Sequence, residues 1–128
     1  MNPKLSLMEG KFTLHRLEAD APIPEVIFDS AFFSVTRTTD ELSLVVPEGI
    51  VLPGTRQEPG WSCLKVLGPL DFGLTGILAG IAGVLAAEGI SIFAVSTFDT
   101  DYILVKQETC EHAIRALESG GYEFMESE

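Results

Sequence analysis

Side chains that do chemistry are scarce in this sequence. It holds two histidines (His15 and His112), two cysteines (Cys63 and Cys110), and 8 basic residues against 19 acidic ones. Both histidines fall where their elements are expected to face outward. Cys110 and His112 stand two apart with no third ligand at metal spacing, so neither a metal site nor a thiol nucleophile is expected. Gly73, Gly76 and Gly80 run G-x-x-G-x-x-x-G, which is not a dinucleotide fingerprint. No acid follows at the distance that reads a ribose, and there is no Walker lysine. With no acid–base pair or nucleophile placed in a cleft, the reading is of a protein without catalytic residues or cofactor. A formal charge of −11 repels phosphates and argues against nucleic acid and anionic membrane as partners. MNPKLSLMEG lacks a cationic start followed by an apolar core, so no signal peptide is expected, and the chain reads as cytoplasmic with free thiols. The uncharged run from Phe72 to Ala87 is too short and too rich in glycine to span a membrane.

What the sequence does have is a stretch of sharp periodicity, residues 71 to 106. Leu74, Ile77, Leu78, Ile81, Val84 and Leu85 follow the i, i+3, i+4, i+7 spacing of a helix with one buried face. Thr75 is expected to cap its start and Gly89 to stop it. The period then falls to two. Ile90 to Val95 is largely apolar on both sets of positions, as in a strand covered on both faces or lying at an interface. Phe98-Asp99-Thr100 reads as a tight turn, and Tyr102 to Val105 as the returning strand.

Around this centre, residues 1 to 10 read as a loose lead-in and Lys11 to Leu17 as an edge or half-buried strand. A short helix is expected over 25–30, then strands over 32–37 and 42–46. Pro47, Pro53 and Pro59 with Gly49, Gly54 and Gly60 make the one linker-like segment, which places a boundary near residue 60. Trp61 to Leu67 is the next strand, Glu108 to Ser119 an amphipathic helix, and Tyr122 to Phe124 a last strand. From Trp61 the order is β-α-β-β-α-β. That predicts an α+β, ferredoxin-like module: a four-stranded antiparallel sheet with two helices, near 75–88 and 109–119, on one face. A shift of sixty residues lays VTRTTDELSLVVPE (35–48) on VSTFDTDYILVKQE (95–108), with Val35/Val95, Leu44/Leu104, Val45/Val105 and Glu48/Glu108 identical. The domains are therefore read as a truncated module over 1–60 and a complete one over 61–128, sharing one body because about 60 residues alone bury too little surface.

Two groups of residues invite a ligand. Gly73 lies in the loop before the long helix, where outward amides suit a carboxylate. Gly76, Gly80 and Gly83 share one side of the helix and leave room for a sheet or a ligand; helix-on-sheet packing accounts for Gly80 and Gly83 equally well. Thr97, Phe98 and Asp101 gather at the hairpin turn. Local turn hydrogen bonds account for the threonine and the aspartate, but a large apolar residue at a turn points to contact with another subunit, the first module or a ligand.

Phe72 to Val105 resembles the ACT domain, and within that family the small tandem ACT proteins, the CASTOR arginine sensors and the aspartate kinase regulatory domains. The likeness rests on Gly76-Ile77, on the A-x-x-G-I-S-I turn from helix to strand, and on S-T-F-x-x-D from Ser96 to Asp101. The resemblance implies a free amino acid or similar small metabolite held where two ACT domains meet. It assigns the contacts to the loop of Asp71, Phe72, Gly73, Leu74, Thr75 and Gly76 and to Thr97, Phe98 and Asp101 on the hairpin. Where the arginine sensors carry an acid in the loop this chain has Leu74, which leaves the ligand open. The expectation is a non-catalytic regulatory or sensing protein that forms a homodimer. The alternative is an interaction module that dimerises or docks on an enzyme and binds nothing small.

Overall fold

A computed structural model describes residues 2–68 and 75–126. By its contacts the chain divides into two compact units: Gly10–Trp61, and Met1–Glu9 together with Ser62–Glu128.

In the first unit, alternation in β4 (Leu42–Pro47) puts Leu42, Leu44 and Val46 on one face. They pack with Ile27 and Leu52 into a buried core. Ile27 comes from the expected short helix, a 3₁₀ turn over Glu25–Asp29. Strand order is β3 (Ser34–Arg37), β4, β2 (Phe12–Leu17), β5 (Arg56–Val66). β2 is a central strand, hydrogen-bonded to β4 and β5, where the alternation left an edge or a half-buried strand open. The linker-like segment shortens in the same way. From Arg56 it is sheet, through Pro59 and Gly60. Phe12 pairs with Trp61 and Leu14 with Glu58, so two residues of β5 oppose Thr13. That is a bulge; Gly60 takes φ +80° within it, and a proline without an N–H is tolerated at such a break.

In the second unit β5 pairs with β1 (Lys4–Leu7) on one side and β7 (Asp101–Lys106) on the other; β6 (Ile92–Ser96) pairs with β7, and β8 (Glu123–Met125) with β1. Helix α1 (Ile77–Ala87) and helix α2 (Cys110–Ser119) cover this unit's core. Ile81 and Leu85 from α1 and Ala113 and Leu117 from α2 pack on Leu64, Val66, Ile103 and Val105. The fold is α+β and ferredoxin-like, with one change. The lead-in is not loose: Leu5 is fully buried, and its strand lies between β5 and β8, antiparallel to the first and parallel to the second. The sheet of this unit therefore has five strands rather than four, and one of its pairs is parallel. Lys4-Leu5-Ser6-Leu7 is too short an alternation to announce a strand, and only its neighbours make it one.

Both units order their strands alike. Taking the strands of each unit in chain order, the first unit reads second, third, first, fourth across its sheet, and the second unit reads the same once β1 is set aside. In the first unit the first helix has shrunk to the 3₁₀ turn, and no helix follows β4.

Candidate functional site

The hairpin between β6 and β7 is built from its own side chains. Ser96 pairs with Asp101 at the mouth of the turn, and Ser96 Oγ donates to Asp101 Oδ1 at 2.6 Å. Thr97 N–H donates to the Thr100 carbonyl at 2.8 Å. Thr97 Oγ1 donates to that same carbonyl at 3.1 Å and accepts from Thr100 N–H at 3.3 Å. Thr100 Oγ1 is buried and donates to the Val66 carbonyl at 2.6 Å, which ties the turn to β5. Phe98 projects from the tip, 79% exposed. The first unit's hairpin closes in the same way: Thr38 N–H donates to the Glu41 carbonyl at 2.9 Å, and Glu41 N–H to Thr38 Oγ1 at 3.2 Å. Thr38 and Asp40 thus correspond to Thr97 and Asp99, a shift of 97 − 38 = 59 residues, one less than the sequence register suggested.

Beneath the second hairpin lies a cleft of about 170 Å³ lined by Lys65, Gly68, Thr97, Asp99, Thr100 and Tyr102. Of the expected contacts it contains Thr97. The Asp101 carboxylate is held by Ser96 instead and does not line the cleft. Asp71, Phe72, Gly73 and Leu74 lie outside the described residues. Lys65 and Asp99 were missed: one sits in an apolar strand and the other in a turn rich in hydrogen-bonding residues, and neither position is distinctive in one dimension. A wider, shallower trough of about 540 Å³ runs between α1 and α2. There His112 Nε2 and Glu88 Oε1 meet at 2.8 Å, so its acid and histidine already serve each other.

The start of α1 departs from expectation. Thr75 does not cap it. Gly76 is the residue that precedes the helix, with φ +79° and no side-chain cap. A positive φ suits glycine, so Gly76 serves the turn into the helix rather than a helix face. Gly80 is the position that permits close approach, since a Cβ there would lie 2.9 Å from the Tyr122 hydroxyl; at Gly83 nothing lies within 4 Å.

Burial pushes the Cys63 thiol up to about 12, which keeps it a neutral core group. Among the described residues no three histidine, cysteine or acidic side chains are gathered as metal ligands, and no helix is long and apolar enough to cross a membrane.

A ferredoxin-like unit, with a second unit that repeats its strand order in shortened form, defines the class of small α+β domains to which the chain belongs. The family model of the ACT domain matches residues 56–119, half of the chain, and this chain belongs to that family. A second family model, for an N-terminal domain, matches residues 10–51. A crystal structure of a protein from Agrobacterium tumefaciens is 37% identical, with TM-score 0.92 over 100% of this chain and 96% of that one. The regulatory subunit of aspartate kinase from Thermus thermophilus shares the fold at 13% identity, with TM-score 0.66 over 93% of this chain and 98% of that one. The "Cytosolic arginine sensor for mTORC1 subunit 1" of Pongo abelii is 31% identical over 126 residues, 88% of this chain and 37% of that protein. The chain thus spans little more than a third of that relative's length.

Proposed function

We propose that this chain is a non-catalytic regulatory protein that binds a free amino acid at an interface between ACT domains. The observation that carries the reading is the polar cleft under the β6–β7 hairpin, inside the region that matches the ACT domain. We propose the loop of Asp71 to Gly76 and the hairpin residues Thr97, Phe98 and Asp101 as the neighbourhood of the ligand. One relative's name supports the ligand class, that of an arginine sensor. The first unit is the partner module expected within residues 1–60, a truncated ACT-like repeat. It keeps the strand order and the threonine-closed hairpin, with one helix reduced to a 3₁₀ turn and none after β4. A homodimer supplies the second complete ACT domain that one chain lacks.

Thermal unfolding in the presence of each of the twenty amino acids tests this. A ligand bound only by the folded state raises the midpoint, by about 2.7 kcal/mol of added stability at a hundredfold excess over Kd. A reproducible rise with one or a few amino acids is expected. No rise with any of them leaves the interaction-module reading, in which the ACT pair docks on another protein.

A further inference from the structure

The cleft under the hairpin carries one cationic side chain, Lys65, and one anionic side chain, Asp99. Lys65 lies between the buried Leu64 and Val66, so the pleat turns it to the sheet face opposite the helices. Tyr102 leaves β7 on that same face, out of step with the buried Ile103. Asp99 reaches the cleft from the turn. Among the described residues neither Lys65 nor Asp99 has an ion pair or a hydrogen bond through its charged group, with each other or with a neighbour. The threonine hydroxyls of the lining are committed. The hydroxyls of Thr97 and Thr100 bond within the turn and to β5, and the Asp101 carboxylate accepts from Ser96.

Resting on the amino-acid reading above, we infer that the cleft takes an amino acid with an uncharged side chain, its carboxylate on Lys65 and its ammonium on Asp99. Two opposite charges that face one cleft without pairing match the two charges of a zwitterion. Each contact is a charge-assisted hydrogen bond, the stronger kind. Once both are used, no charged side chain of the described lining is left for a third ligand charge. A guanidinium or ammonium side chain would face Lys65 unpartnered, and like charges at close range repel. Asp101 acts as a strut that fixes the hairpin and so the position of Asp99, and does not itself touch the ligand.

The test is calorimetric titration of the full chain with glycine, L-alanine, L-serine, L-valine, L-aspartate, L-lysine and L-arginine. The N-acetyl derivative and the primary amide of the best binder follow. A neutral amino acid is expected to bind best, with L-arginine and L-lysine at least tenfold weaker. Lys65→Gln and Asp99→Asn should each weaken the best ligand by tenfold or more, while Lys65→Arg holds it within about threefold and Asp101→Asn within about fivefold. N-acetylation should cost wild type at least tenfold and Asp99→Asn little; amidation should cost wild type at least tenfold and Lys65→Gln little. Lys65 is half-buried and Asp99 exposed, and unliganded melting curves verify that each variant folds. Binding led by arginine or lysine, or binding that Lys65→Gln and Asp99→Asn both leave within threefold, overturns this inference and leaves amino-acid binding standing. No binding of any of these seven, together with no thermal rise from any of the twenty, removes both.

Discussion

His15 occupies the middle of β2 and is 3% exposed, where the sequence pattern placed it on a surface. Its Nδ1 lies 2.8 Å from Thr55 Oγ1, which itself donates to the Leu52 carbonyl at 3.1 Å. The threonine oxygen is thus the acceptor toward the ring, and Nδ1 carries the proton. Nε2 is buried with no hydrogen-bond partner among the described residues. Protonating it would place a charge in the core, so burial lowers the pKa from 6.5. When the folded pKa is the lower one, the unfolded chain binds the extra proton first, and stability falls as pH drops through 6.5 toward the folded value. Urea unfolding at pH 7.5, 6.5 and 5.5 should show that loss in wild type and a flatter profile in His15→Gln; parallel profiles would exclude His15 as the group. Two glycines of α1 make a second comparison at this scale. Alanine in place of an exposed helical glycine gains roughly 0.5–1 kcal/mol. Gly83→Ala meets nothing and should raise the melting midpoint by a few degrees. Gly80→Ala drives its Cβ onto the hydroxyl of the buried Tyr122 and should give no gain or a loss.

Among the edge strands of the described residues, β3, β6 and β8, only β6 carries no charge. It pairs only with β7 among the described residues, and its sequence IFAVS holds no charge and no proline. Sheet edges in soluble proteins are usually blunted by charge, proline or a bulge; a bare one offers its backbone to another strand. Ala94 and Ser96 are exposed on this strand. If the homodimer forms along it, Ala94→Lys should convert dimer to monomer in light scattering with the melting curve little changed. Wild type that stays monomeric at high concentration would remove the dimer. The β6–β7 turn shows the same division of labour at its tip. Threonines and Asp101 hold the turn, which leaves Phe98 exposed at the tip and Asp99 on the cleft lining.

At the scale of the molecule, the chain closes on itself. The second unit is assembled from both ends of the sequence, with Leu5 in the core among Leu64, Val66 and Leu117. Asn2 Nδ2 donates to the Gly120 carbonyl at 3.4 Å, and Leu67 N–H to the Lys4 carbonyl at 2.8 Å. Without β1, β8 loses the strand it pairs with and β5 gains a bare edge. A chain that begins at residue 10 should therefore be far less stable. Leu5→Ala alone should cost about 2–5 kcal/mol by the usual range for emptying a core site, read as a lower urea midpoint at unchanged slope. Unaltered stability on removing residues 1–9 would show that β1 is dispensable.

Periodicity belongs to single segments, so the sequence by itself determined the helices, the β6–β7 hairpin, the β-α-β-β-α-β order and the ACT likeness of Phe72 to Val105. The spacing of Ile81 and Leu85, or of Ala113 and Leu117, already says which face is buried. Tertiary structure alone decided what depends on partners far along the chain. Four residues at Lys4–Leu7 carry too little pattern to be a strand until β5 and β8 flank them. Pro59 and Gly60 read as a linker until the bulge opposite Thr13 absorbs them. Lys65 and Asp99 stand 34 positions apart, and a cation beside an anion means nothing until a sheet and a turn bring them to one cleft. Asp101, which the motif singled out, is placed by Ser96 across the ladder, and that hydrogen bond depends on strand register.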